Sequence, residues 1–128
     1  MKRPVIPVVL LLLAMPMISI AQMTARTVSA NIPFEFHVGK EILPAGDYKF
    51  NLDSGKSFVT LVNAKSGKSM MAPVLTRISQ WPGREAELVF DKAGDAHYLA
   101  ELHVPGIDGF HFPGAPGPHT HVSVKGSR

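Results

Sequence analysis

What most constrains this chain is an alternation of period two. Between Ile32 and Lys125 runs in which apolar and polar residues alternate recur, separated at short intervals by Gly- or Pro-bearing clusters. Successive side chains of a strand point to opposite faces, so this pattern describes half-buried strands and not amphipathic helices. Ile32, Phe34, Phe36 and Val38 fall on one face, opposed by Asn31, Pro33, Glu35 and His37. Pro33 has no N–H to donate, which predicts that this strand begins there or lies at a sheet edge. Tyr48, Phe50 and Leu52 alternate with Asp47, Lys49, Asn51 and Asp53. The run Phe58–Val62 is near-continuously apolar and suits a strand covered on both faces. Met70–Ile78 reads as a strand that Pro73 interrupts, and Leu88–Phe90 as a short one ended by Asp91-Lys92-Ala93-Gly94-Asp95. Ala96, Tyr98, Ala100, Leu102 and Val104 then oppose His97, Leu99, Glu101 and His103, and Thr120, Val122 and Val124 oppose His119, His121, Ser123 and Lys125. Asp53-Ser54-Gly55-Lys56 is a hairpin signal. The expectation is an all-β fold: a single antiparallel meander of seven or eight short strands, closed as a sandwich or a flattened barrel.

The N-terminus follows another rule. Met1-Lys2-Arg3-Pro4 is a cationic head, Val5 to Ile20 carries no charge, and Ser19-Ile20-Ala21 offers the small-x-small exit of a signal peptidase site. This predicts a helical signal peptide at 1–21 and one mature domain at 22–128. The apolar run falls short of the roughly 20 residues a spanning helix needs, and Pro7 and Pro16 interrupt it. Export places the domain in the periplasm or outside the cell, with no stable membrane anchor after cleavage. Cleavage removes Lys2 and Arg3 and no acid, so a formal charge of +3 becomes +1. The remaining lysines interleave with acids, which leaves no basic patch for nucleic acid. There is no cysteine, hence no disulfide and no thiol nucleophile. The domain must hold by its core alone, and about 107 residues suffice for that. An exposed edge strand would allow a dimer or a cell-envelope partner.

Three segments carry a resemblance. They are Ile32-Pro33-Phe34-Glu35-Phe36-His37-Val38-Gly39 with Leu43-Pro44-Ala45-Gly46-Asp47-Tyr48; Leu88-Val89-Phe90-Asp91 with Gly94-Asp95; and Tyr98-Leu99-Ala100-Glu101 with Val104-Pro105-Gly106. Together the chain resembles a group of short, exported, uncharacterised soil-bacterial proteins. That resemblance implies a signal peptide and one β domain, and no activity or ligand.

Six histidines are the main chemical feature. His119 and His121 share a strand face, about 6.5–7 Å apart along the strand. If the strand bearing Glu101 and His103 pairs with theirs across the loop 105–118, His103 falls opposite His119 and Glu101 opposite His121. Three imidazoles and a carboxylate would suit Zn²⁺ or Cu²⁺, with His111 able to approach from the loop. Without that register no cofactor is expected, and all four residues are solvated surface. His37 and His97 read as solvated surface, and Met70-Met71 as core filling. The loop 105–118 holds eight Gly or Pro in fourteen positions, yet carries Phe110 and Phe112. Those rings, with Trp81 beside Pro82-Gly83, either cap the core or form a carbohydrate- or protein-binding surface. Nucleophile-elbow, phosphate-loop, zinc-protease and dinucleotide motifs are missing. The expected role is therefore non-enzymatic, structural or binding, with metal binding and ligand binding as alternatives.

Overall fold

A computed structural model describes residues 26–52 and 57–127. The expected signal peptide and the expected hairpin turn at Asp53-Ser54-Gly55-Lys56 lie outside the described residues.

Each regular element among the described residues is a strand. They are β1 (Arg26–Ile32), β2 (Phe36–Val38), β3 (Glu41–Leu43), β4 (Gly46–Leu52), β5 (Phe58–Asn63), β6 (Ser69–Pro73), β7 (Thr76–Ile78), β8 (Ala86–Ala93), β9 (Ala96–His103), β10 (Gly109–His111) and β11 (Thr120–Ser127). Their order in the sheet is β3-β2-β9-β8-β11-β1-β4-β5-β6, while β10 pairs with both β9 and β7. The nine-strand path curls into an open half-barrel, so all-β is right but neither a two-sheet sandwich nor a closed barrel describes it. Nor is it one meander. Neighbours in sequence pair in β4-β5-β6 and β8-β9, but β11 inserts between β8 and β1, and β2 lies parallel to β9.

Eleven strands replace the expected seven or eight because proline and turn residues cut the longer runs. Pro33 neither starts a strand nor marks an edge. β1 ends at Ile32, immediately before it, and lies centrally between β11 and β4. Pro33-Phe34-Glu35 then carries the chain across to β2. Pro73 ends β6, and β7 pairs instead with β10.

Alternation places one face of the sheet inside the curl. Nineteen residues form a single buried apolar cluster, among them Val28, Ile32, Phe36, Phe50, Leu61, Leu88, Phe90 and Leu102. Asp47, Lys49 and Asn51 on β4 are exposed, as period two requires. In β5 only Val59 and Leu61 are fully buried, so this strand is covered on one face and half-covered on the other.

β9 departs from simple alternation. Opposite β8 the register runs Val89↔Glu101 and then Phe90↔Leu99, which leaves Ala100 as an extra residue. A bulge of this kind reverses the parity of the strand. Leu99 and Leu102 therefore both enter the core, and Tyr98 leaves it, contrary to the expected face. His97 turns to the core side and stacks on Phe34 with centroids 3.8 Å apart. The curl stays open between the terminal strands β3 and β6. Both line a cavity of about 860 Å³ together with β4 and β5, with Leu43, Leu61 and Met70 on its wall.

Candidate metal centre

On the outer face, β8 presents Asp91, beyond Glu87 and Val89. The sequence reading ended this strand at Phe90, but β8 continues to Ala93 and only Gly94-Asp95 turn. Gly94 takes the left-handed conformation (φ 62°) that closes this hairpin. β11 lies antiparallel beside β8, and the register sets His121 directly opposite Asp91. His119, two residues earlier, is on the same face.

An outward aspartate should be wet, yet Asp91 is 6% exposed. The cause is the segment 112–118. Leaving β10 on the far side of β9, it crosses the outer face to reach β11. The Phe112 N–H donates to the Ala100 carbonyl at 2.7 Å. The Ala115 N–H donates to Asp91 Oδ2 at 3.0 Å. Gly114 (φ 66°) sits so close that a Cβ there would lie 2.4 Å from Oδ2. One oxygen of the carboxylate is thus committed to the loop.

The other oxygen is not. Asp91 Oδ1 is buried and accepts no hydrogen bond. His121 Nδ1 lies 3.1 Å from it and His119 Nε2 3.4 Å, in ion-pair range but without hydrogen-bond geometry. Among the described residues these imidazoles are its only charged or chargeable neighbours at that range. His119 Nδ1 donates to the Gly117 carbonyl at 2.6 Å. In the neutral ring this fixes the proton on Nδ1 and leaves a lone pair on Nε2, the arrangement usual for a metal-ligating histidine. Lone pairs of Nε2 and Oδ1 facing each other repel unless a cation lies between them.

The spacing fits such a cation. Two ligand atoms at 2.0–2.1 Å from a tetrahedral ion are about 3.3 Å apart, and each lone pair points about 35° away from the line joining them. Contacts of 3.1 and 3.4 Å that lack hydrogen-bond alignment have this form. Asp91, His119 and His121 each bring a ligand atom within 4.8 Å of the others, so the group could hold a metal ion. The rings meet edge to face with centroids 5.1 Å apart.

The predicted set is brought together only in part. Glu101 and His103 do not join His119 and His121, because β8 lies between β9 and β11. The far edge of β9 pairs with β10 instead, which sets His111 opposite Glu101. His103 is 8% exposed, and its Nε2 lies 3.2 Å from Glu101 Oε2. Its Nδ1 has no partner and faces the Gly109 backbone, and Trp81 covers the ring at 4.6 Å. The Trp81 indole N–H donates to the Glu85 carbonyl, so the ring is folded onto the sheet. Phe110 and Phe112 are each 1% exposed and belong to the core, so the three aromatics do not form one exposed surface. His37 and His97 are half-buried, not solvated: His37 stacks on Tyr98, and His97 on Phe34. Burial, helped by nearby Lys92, lowers the pKa of His97 from its ordinary value. Met71 is 60% exposed, so only Met70 fills the core.

Sequence reasoning missed Asp91. The available signal was the outward series Glu87, Val89, Asp91, had the strand been carried through to the glycine. Comparison of the chain with protein-family models, with curated proteins and with solved structures finds no match.

Proposed function

We propose that this is an exported, non-enzymatic β domain that binds one first-row divalent ion, Zn²⁺ or Cu²⁺, through Asp91, His119 and His121. The observation that carries this reading is the buried Asp91 Oδ1, which has no hydrogen bond and is faced by two imidazole nitrogens. Two imidazoles and one carboxylate oxygen are a borderline donor set, which favours Zn²⁺ and Cu²⁺ over Mg²⁺ and Ca²⁺. Engagement of Oδ2 by Ala115 leaves the carboxylate one oxygen to offer, and so disfavours the oxygen-rich shell of Ca²⁺. Support for export comes from the cationic head, apolar run and Ser19-Ile20-Ala21 exit.

Isothermal titration of the tag-free protein tests the metal reading. The expected result is one ion per chain with a Kd of about 10 μM or tighter. Binding is lost in His119→Ala/His121→Ala and weakens as pH falls, because the imidazoles must be deprotonated to ligate. An affinity unchanged in the double variant would remove the reading. N-terminal sequencing of exported protein checks cleavage after Ala21.

A further inference from the structure

Resting on that reading, we infer that the bound ion is cargo and not a structural staple: the centre holds Zn²⁺ or Cu²⁺ with one coordination position open, and passes it to an acceptor by direct ligand exchange.

The first support is the ligand count. Structural zinc sites are closed by four protein ligands, whereas sites that exchange a ligand supply three and leave one position free. Among the described residues the group has three members, with no fourth His, Asp or Glu close enough to join it. The second is exposure. Asp91 is sealed below, but the His121 side chain is 66% exposed and that of His119 29%. An ion seated above Oδ1 therefore turns its outer hemisphere to water. The third is that the fold does not need the ion. None of the three ligands belongs to the apolar cluster, which fills the opposite face of the sheet. The crossing segment is fastened independently of any cation, by Ala115 to Asp91 Oδ2 and by Phe112 to Ala100.

These features define a sequence of exchange steps. An entering Lewis base, such as an imidazole or carboxylate, donates a lone pair into the open position. The bond from His121, the most exposed ligand, then breaks, and the nitrogen regains its lone pair or takes a proton from solvent. His119 and Asp91 release in turn. The ion leaves as a dication, and no electron changes hands. His119 and Asp91 stay tied to the crossing segment through Gly117 and Ala115 after the ion leaves, which keeps the two ligands near each other for reloading.

Stopped-flow transfer from Zn²⁺-loaded, tag-free protein to the chromogenic chelator 4-(2-pyridylazo)resorcinol tests this. The expected result is a rate that doubles with each doubling of chelator, while far-UV circular dichroism and the cooperative melt of the metal-free protein persist. A rate independent of chelator, or loss of the β signal on metal removal, would overturn the cargo role and leave metal binding standing. Failure to load one ion per chain with either Zn²⁺ or Cu²⁺ would overturn both.

Discussion

Two histidine groups occupy the outer face of the same sheet, and they differ in what surrounds them. In one, His103 meets Glu101 at 3.2 Å, Trp81 covers the ring, and Nδ1 ends against the Gly109 backbone. In the other, His119 and His121 meet Asp91 at similar distances, but the carboxylate is buried and the imidazoles are exposed. The first is a closed pair: one nitrogen is used and the other has nowhere to aim a lone pair. The second directs three donors to one point that water can reach. Residue type does not separate them. The direction of the lone pairs and access from solvent do.

The sharpest way to break this comparison is a matched pair of isosteric changes. Asp91→Asn should cut metal affinity by about 100-fold or more, beyond the 10–100-fold typical of outer-shell partners, whereas Glu101→Gln should leave it within a few-fold. Equal losses in the two titrations would erase the distinction. Gly114→Ala comes next. Its Cβ would collide with Asp91 Oδ2 at a backbone angle that disfavours any side chain, so the crossing segment must lift. Thermal or urea unfolding should show a loss of about 1–3 kcal/mol, and metal affinity should fall about tenfold.

On the closed side, the buried Nδ1 of His103 already lacks a partner, so His103→Leu should be nearly neutral, within about 1 kcal/mol in urea unfolding. A loss above about 3 kcal/mol would mean that the His103–Glu101 contact matters far more than a half-satisfied pair should. The smallest effect concerns His97. Burial first, and Lys92 second, lower its pKa in the folded state, so the unfolded chain takes up the proton at higher pH. Stability should therefore be level above the ordinary histidine value of 6.5, decline as pH falls through it, and level again below the lowered folded value. His97→Gln should flatten that step in pH-dependent melting curves.

Much of the local structure was legible before any coordinates. Period two placed Tyr48, Phe50 and Leu52 inside and put His119 and His121 on one face, because alternation is a property of a strand by itself. The register between distant strands was not, since it is settled by which neighbours a strand finds. The expected β9–β11 pairing failed because the long connection joins strands two places apart, with β8 between them. Ala100 shows a second limit. One unpaired residue reversed the faces of His97, Tyr98 and Leu99, and nothing in the local composition announces a bulge. Asp91 was hidden for a third reason: its burial comes from a segment more than twenty residues away folding over it. Phe110 and Phe112 followed the simpler rule that large rings in a loop go to the core.

The open seam has a consequence for how copies of this chain meet one another. A sheet with free edges is a template on which further chains can stack, and a closed barrel escapes this by having none. Here β3 and β7, each at an edge, are only three residues long, and the remaining edge strand, β6, finishes on Pro73, which has no N–H to offer. An incoming strand would find few rungs on β3 or β7 and a missing rung on β6. The molecule can thus leave its curl incomplete without inviting fibrous growth, a useful property for a domain with no disulfide to lock it.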